Sequence, residues 1–386
     1  MNAPFIKEPV KTALSKQQDA KLAAQELADQ LMGPDLGFVL FFCSAEYDLE
    51  TLSRELHLAF DGVELAGCTT AGEVTPRGYD RGSITAVGFD QNLFSIDVAL
   101  IESLEGFSLN DAQNLVSGLV TQSRSRQVAP IKGHSFALTL LDGLSSQEEL
   151  VLMTLNSALG SIPSFGGSAG DDNHLTNTHV YHKGRFYTQA AIVVLISTPL
   201  DFEVFTTHHM TSLEEKLVVT AADPATRTVF ELNAIPAAEE YARVVGVPLD
   251  ALDHKVFALN PVAVRIGQEY YVRSIQRVNE DGSLTFYCAV ENGIVLTAMQ
   301  PGSMIDDLNS VFTRLETEVG PPLITLGCDC FLRRLELEHR EQDQRMSDFL
   351  QQHRVIGFNT YGEQYDGMHI NQTFTGVVIG KRNRDG

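Results

Sequence analysis

The chain has 386 residues, beyond the roughly 250–300 at which one core stops growing, so two domains are the default. Hydrophobic residues make up 44% and charged residues 20%, which excludes extensive disorder. With 28 Lys+Arg against 50 Asp+Glu the formal net charge is −22, which argues against nucleic acid or a membrane surface as partner.

Residues 1–34 read as a polar leader, and Met1 to Val10 has no apolar segment of the secretory kind. The apolar run Ala190 to Ile196 is far below the ~20 residues of a membrane span, so a cytoplasmic location is expected. Five cysteines (Cys43, Cys68, Cys288, Cys328, Cys330) in a long chain without such a signal point to reduced thiols.

A first domain is expected over 35–198. Leu36 to Cys43 is a continuous apolar run, and Leu49, Leu52, Leu56 and Phe60 follow at helical spacing. Val63 to Gly67 then enters the loop Gly67-Cys68-Thr69-Thr70-Ala71-Gly72-Glu73. The order returns with Ser135 to Leu141 as strand, Ser146-Gln147-Glu148-Glu149 as capping box and a helix through Leu152, Leu155 and Leu159. A second loop follows, Gly166-Gly167-Ser168-Ala169-Gly170-Asp171-Asp172. Short β segments come after each: Ile84 to Phe89 and Phe94 to Ile101, then His179 to Tyr181 and Tyr187 to Ile196. The N-terminal half therefore reads as a duplicated strand-helix-strand unit.

The second domain is expected over 199–386. Its first part has hairpin signals: Lys216 to Thr220 and Thr226 to Leu232 flank Asp223-Pro224, and Tyr270 to Val278 and Leu284 to Val290 flank Glu280-Asp281-Gly282. Pro236 opens a helix that Gly246 stops. This part reads as an antiparallel sheet with one helix, an arrangement of small-molecule sensors. Helical spacing resumes at Ile305, Leu308, Phe312, Leu315 and Val319, before Gly327-Cys328-Asp329-Cys330 and the closing loop Tyr361-Gly362-Glu363. Four strand ends with glycine loops are counted, and the fold class is mixed α/β with an antiparallel sheet in the C-terminal domain.

The two N-terminal loops, the stretch Glu231-Leu232-Asn233 leading to Pro236-Ala237, and Gly357-Phe358 with Thr360 and Gly362-Glu363 resemble the FIST family, from about Leu36 to Gly380. That resemblance implies a cytoplasmic signalling input module. The ending Gly367-Met368-His369-Ile370-Asn371-Gln372-Thr373-Phe374 is similar to haem-binding, nitric-oxide-sensing members, the NosP type. It implies haem b, nitric oxide as ligand and direct contact with a partner histidine kinase. A homodimer stays open.

Haem needs an axial ligand, most often histidine, in an apolar pocket. His182, with His179 near it, lies among Tyr181, Phe186 and Tyr187 and ranks first for the iron; His369 ranks second. His208 and His209 point to opposite faces of a strand and are expected to face solvent. Arg333 and Arg334 suit a carboxylate-bearing ligand such as the haem propionates. The alternative is a haem-free sensor of a small metabolite such as an amino acid, held by Asp171 and Glu363; acids after these loops also cap backbone amides. Cys328 and Cys330 lack the second ligand pair of a zinc site and read as buried thiols. Gly166-x-Ser168-x-Gly170 matches a nucleophile elbow in letters, but Asp171-Asp172-Asn173 and a strand follow instead of a helix. No enzyme is expected.

Overall fold

The computed structural model describes residues 8–172 and 174–383. Its plan is one unit used three times: outer strand, helix, inner strand, helical segment, second inner strand, short hairpin, return strand. The first unit runs Val10–Ser15, helix Ala20–Leu31, Leu36–Ser44, helix Leu49–Ala59, Glu64–Thr70, hairpin Glu73–Thr75 with Gly78–Asp80, and Ile84–Asp90. The second runs Ser95–Ile101, helix Leu109–Arg126, Ser135–Leu141, helix Glu148–Leu159, Ser164–Ser168, hairpin Val180–His182 with Arg185–Tyr187, and Ala191–Ser197. The third runs Leu200–Thr207, helix Met304–Val319, Pro322–Cys330, helices Phe331–His339 and Asp343–Gln352, Val355–Thr360, hairpin Glu363–Tyr365 with Met368–Ile370, and Phe374–Asn383.

In each unit the inner strands are parallel and the return strand is antiparallel to the first of them. The hairpins leave their own units in a cycle. The first unit's hairpin pairs with Val355–Thr360 of the third, Phe358 opposite Glu73. The second unit's pairs with Glu64–Thr70 of the first, Cys68 opposite Val180, and the third unit's pairs with Ser164–Ser168 of the second, Gly167 opposite Glu363. Three six-stranded sheets of the same order result, each completed by a neighbour's hairpin.

The continuous apolar runs follow from this plan. Phe38, Leu40 and Phe42 face a core shared by all three sheets, while Val39, Phe41 and Cys43 face the unit's own helices. Phe136, Leu138 and Leu140, and Ile324, Leu326 and Cys328, occupy the shared core from the other units, and Phe42 stacks on Phe358 at 4.7 Å. Full burial of each large side chain contributes about 1.5–3 kcal/mol.

Residues 210–301 are inserted between the outer strand and the first helix of the third unit. They form an antiparallel sheet from Met210–Asp223, Thr228–Leu232, Val262–Ile266, Glu269–Arg273 and Val295–Pro301 with shorter strands, and helix Ala237–Val245 packs Ala237, Ala238 and Tyr241 on it. The expected sheet with one helix is present, and it adds the short helix His254–Leu259.

Three expectations change. Within the stretch read as a leader, residues 10–31 are the outer strand and first helix of the first unit; residues 1–7 lie outside the described ones. The two further strand-and-glycine-loop stretches near the C-terminus, at Gly327-Cys328-Asp329-Cys330 and Tyr361-Gly362-Glu363, belong to one third unit. Of the four glycine loops, those ending in Glu73, Asp171 and Glu363 occupy one position in the three units, whereas Cys328-Asp329-Cys330 ends a first inner strand.

Candidate functional site

The three loop acids hold the interlocked hairpins. Glu73 accepts from the Thr70 hydroxyl and from the Ser83 amide and hydroxyl at 3.1 and 2.9 Å. Glu363 repeats this with Thr360 and with the Thr373 amide and hydroxyl, again at 3.1 and 2.9 Å. Both are buried, and burial pushes both up to about 7, with the hydrogen bonds working against it. Asp171 accepts instead from Tyr361 and from the amides of Leu175, Thr176 and Asn177 at 2.9, 2.7 and 2.8 Å, ordering the longer link to its hairpin. Burial raises its pKa, but these donors more than reverse that and hold it below the ordinary range.

Arg333 is wholly buried: it donates to Asp329 at 2.7 Å and to His209 Nδ1 at 3.0 Å, its Nη2 has no partner among the described residues, and His209 Nε2 lies 2.8 Å from Glu336. His209 is thus a buried member of an ion network rather than a solvent-facing residue. Arg334 donates to Asp172 at 3.1 Å. The structure does not gather Asp171, Glu363 and Arg333 around one pocket.

His182 and His369 are also apart from each other in role. His182 is buried in the hairpin, opposite Ala66 and Arg185, and burial pushes it down to about 4. The groove beside that hairpin is lined by His179, His57, Glu50, Arg54 and Arg185, with Phe186 as its aromatic wall, so its rim is polar and open. His369 Nε2 faces Gly362, where a methyl group would lie 1.9 Å from it, leaving no space for iron on that nitrogen. His182, His179 and His369 therefore do not form the enclosed apolar slot that a haem requires. Ser168 and Cys68 are buried, and the Ser168 hydroxyl donates to Glu148. All five cysteines are unpaired and buried.

A cavity of about 380 Å³ opens where the inserted sheet meets the third unit. Tyr270, Tyr271 and Glu269 come from the insert, Tyr365, Met368 and Ile370 from the hairpin, and Thr206 and His208 from the end of the outer strand. The Thr206 hydroxyl oxygen is buried without a partner among the described residues. His208 Nδ1 accepts from the Met210 amide at 3.3 Å, and burial holds this imidazole below its ordinary pKa, hence neutral at pH 7. Burial raises the Tyr365 hydroxyl, reinforced by Asp366 and Glu203 and opposed by Arg314, so charges of both signs stand near it. His208, expected to face solvent, is half-buried here because the insert covers it, and no local pattern announces that.

On the other side of the same strand, His369 Nδ1 lies 3.4 Å from Glu149 and 3.7 Å from Glu148. Arg227, from the insert, donates to both carboxylates at 2.9 Å, and the amide of Ala289 donates to Glu149 at 2.8 Å. Burial opposes the His369 imidazolium, but Cys288, Glu148 and Glu149 more than offset it and hold the pKa well above the histidine range. Burial likewise raises Glu149, yet His369 and Arg227 prevail and hold it well below the carboxylate range. Glu148 and Glu149, expected in a capping box, face this cluster, and Gln147 precedes the helix without a side-chain cap.

The fold is thus a threefold interlocked α/β core with an inserted antiparallel sheet and a cavity at their seam. The pattern of the FIST N domain matches residues 37–235 and that of the FIST C domain residues 237–366, and the chain belongs to the FIST sensory family. The junction of the two patterns falls inside the insert, so they divide the sequence and not the three units. The chain is also similar to an uncharacterized protein, MJ1623, of Methanocaldococcus jannaschii, 21% identical over 374 residues that cover 84% of this chain and 71% of that one. No helix among the described residues is long and apolar enough to cross a membrane.

Proposed function

We propose that this protein is a sensor and not an enzyme, and that its input is a small organic cation or the ammonium end of an amino acid bound in the seam cavity. The carrying observation is the lining of that cavity: the exposed carboxylate of Glu269, the unpartnered Thr206 hydroxyl and tyrosine rings, of which Tyr270 already carries the Arg265 guanidinium at 5.8 Å in the manner an ammonium would use. Tyrosine faces attract alkylammonium groups, and a carboxylate adds a charge-assisted hydrogen bond. Met368 and Ile370 line the cavity while His369 between them enters the ion cluster, so a ligand that shifts this three-residue strand moves His369 against Glu149. The output, by the family resemblance, is direct contact with a partner histidine kinase in the cytoplasm.

A panel of amino acids and polyamines in a thermal-shift titration tests the input. A binder present at a hundred times its Kd adds about 2.7 kcal/mol of stability. Glu269→Gln is expected to weaken the amine roughly tenfold or more while leaving the unliganded melting temperature unchanged. If no amine shifts the melting temperature, or Glu269→Gln binds as tightly, the cationic reading fails.

Haem b with nitric oxide is a second reading, favoured at this cavity by His208 and Met368, both of axial-ligand type, on its walls. There His208→Ala is expected to abolish the Soret band of the haem-loaded protein and His182→Ala to leave it. The reverse pattern, or no band in the wild type, refutes haem in this cavity. Autophosphorylation of the kinase with liganded and unliganded protein tests the output; equal rates rule it out.

A further inference from the structure

Glu149, Cys288 and His369 come from three distant parts of the chain. The first begins a second-unit helix, the second follows an inserted strand, and the third lies in the third unit's hairpin. One donor atom from each falls within 4.8 Å of the others. A tetrahedral zinc-type ion has ligand atoms roughly 3.3–3.8 Å apart, given metal–ligand bonds of about 2.0–2.3 Å, so closure by about 1 Å completes the site.

We propose that Glu149, Cys288 and His369 bind a divalent transition-metal ion of the zinc class. The ligand atoms are Glu149 Oε1, Cys288 Sγ and His369 Nδ1, with Glu148 or a water in the fourth position. Thiolate, imidazole and carboxylate together select zinc or cobalt over magnesium and calcium. Charge is conserved on loading: one proton leaves Cys288 and one leaves His369 as a dication enters.

The surroundings orient the ligands. Arg227 occupies Glu149 Oε2 and leaves Oε1 toward the cluster, where the Ala289 amide also donates. Before loading, the Cys288 thiol donates to Asn371 Oδ1 at 2.9 Å, which sets its rotamer beside His369; that bond is given up when the proton leaves for the metal-bound thiolate. Gly362 leaves His369 Nε2 its seat without a metal on that side. The Glu149 side chain is about one-third exposed, so the ion has a way in. The inference is independent of which ligand the seam cavity takes. It adds that the metal would tie the core, the insert and the strand carrying Met368 and Ile370 into one body.

The test uses the full chain, stripped with a chelator and titrated with cobalt, then zinc. One cobalt ion per chain is expected, with a thiolate-to-cobalt charge-transfer band and four-coordinate d–d bands that zinc bleaches. Cys288→Ser is expected to lose the charge-transfer band, and Glu149→Gln to weaken binding roughly 10–100-fold. Zinc is expected to raise the melting temperature of the wild type and not of Cys288→Ser. Because Glu149 reaches the surface, Glu149→Gln retains the fold if Cys288→Ser does not, and far-ultraviolet circular dichroism verifies this. No charge-transfer band in the wild type, or unchanged cobalt affinity in Glu149→Gln, overturns the proposal.

Discussion

Arg227→Ala is expected to lower the free energy of unfolding by about 3–5 kcal/mol, the cost of breaking a buried ion pair from one side. Arg227 is nearly buried, with its guanidinium 2.9 Å from one oxygen each of Glu148 and Glu149, and the Glu148 side chain is 1% exposed. Without the arginine those carboxylates keep His369, shared between them, with the Ser168 hydroxyl on Glu148 and the Ala289 amide on Glu149. Arg227 also sits at φ 55°, closing the turn Pro224–Thr226, a left-handed backbone that arginine and alanine bear alike, so the loss reads the ion pair and not the turn. Urea unfolding measures the loss. Glu148→Gln in the Arg227→Ala background is expected to recover part of it, since the orphaned charge is then gone. A loss under about 1 kcal/mol would mean that the pair behaves as a surface salt bridge and that the insert docks by apolar contact alone.

That seam is also where the sequence was least legible. Leu36 to Cys43 and Ser135 to Leu141 announced themselves because strands covered on both faces are apolar throughout. The helix Ala20–Leu31 did not, because its buried stripe is mostly alanine: Ala20, Ala23, Ala24 and Ala28, with Leu27 and Leu31. The hairpin exchange leaves no local trace, since each hairpin strand has three residues and its partner lies in another unit. Ser146-Gln147-Glu148-Glu149 has the letters of a capping box, yet a cation some 80 residues away decides what the two glutamates face. The same holds for His208 and His209, whose covering residues come from the insert and from Phe331–His339. Glycine-loop residues identified the family, whereas the cavity and the Glu149–Cys288–His369 cluster are made by contacts between units that periodicity does not encode.

The loop acids give the second large effect, and its sign differs among three equivalent positions. Glu73 and Glu363 have folded pKa values of about 7 against an ordinary 4.5, so between these values the folded chain binds more protons than the unfolded one. Stability therefore falls as pH rises from about 4.5 to 7, by on the order of 3 kcal/mol for each group, and levels off above. His369, raised above 6.5, acts in the same sense: its contribution is intact below 6.5 and is lost as pH climbs through its folded value. Glu149 and Asp171 act oppositely, contributing above the ordinary carboxylate range and losing that contribution as pH falls through their lowered values. His182, His179, His208, His209 and His353, whose imidazoles burial holds below 6.5, oppose this trend and cost stability as pH falls below 6.5, but they are common to the wild type and a variant of the two glutamates and cancel between them. In Glu73→Gln/Glu363→Gln, a neutral amide carbonyl accepts from Ser83 or Thr373 and the NH2 group donates to the hydroxyl of Thr70 or Thr360. The double variant is expected to match the wild type at pH 5 and to exceed it by several kcal/mol at pH 8, read from urea unfolding at both values. Parallel pH profiles for the two proteins would show that neither carboxyl is neutral in the folded state near pH 6. Asp171→Asn is expected to run the other way at pH 7 and destabilise, because four donors in the link to the hairpin (the amides of Leu175, Thr176 and Asn177 and the Thr176 hydroxyl) and the Tyr361 hydroxyl of the third unit are arranged for a charged acceptor. Below pH 7 one position in the repeat thus carries two mostly neutral acids and one ion, and the longer connection after Asp171, which supplies the amides, makes the difference.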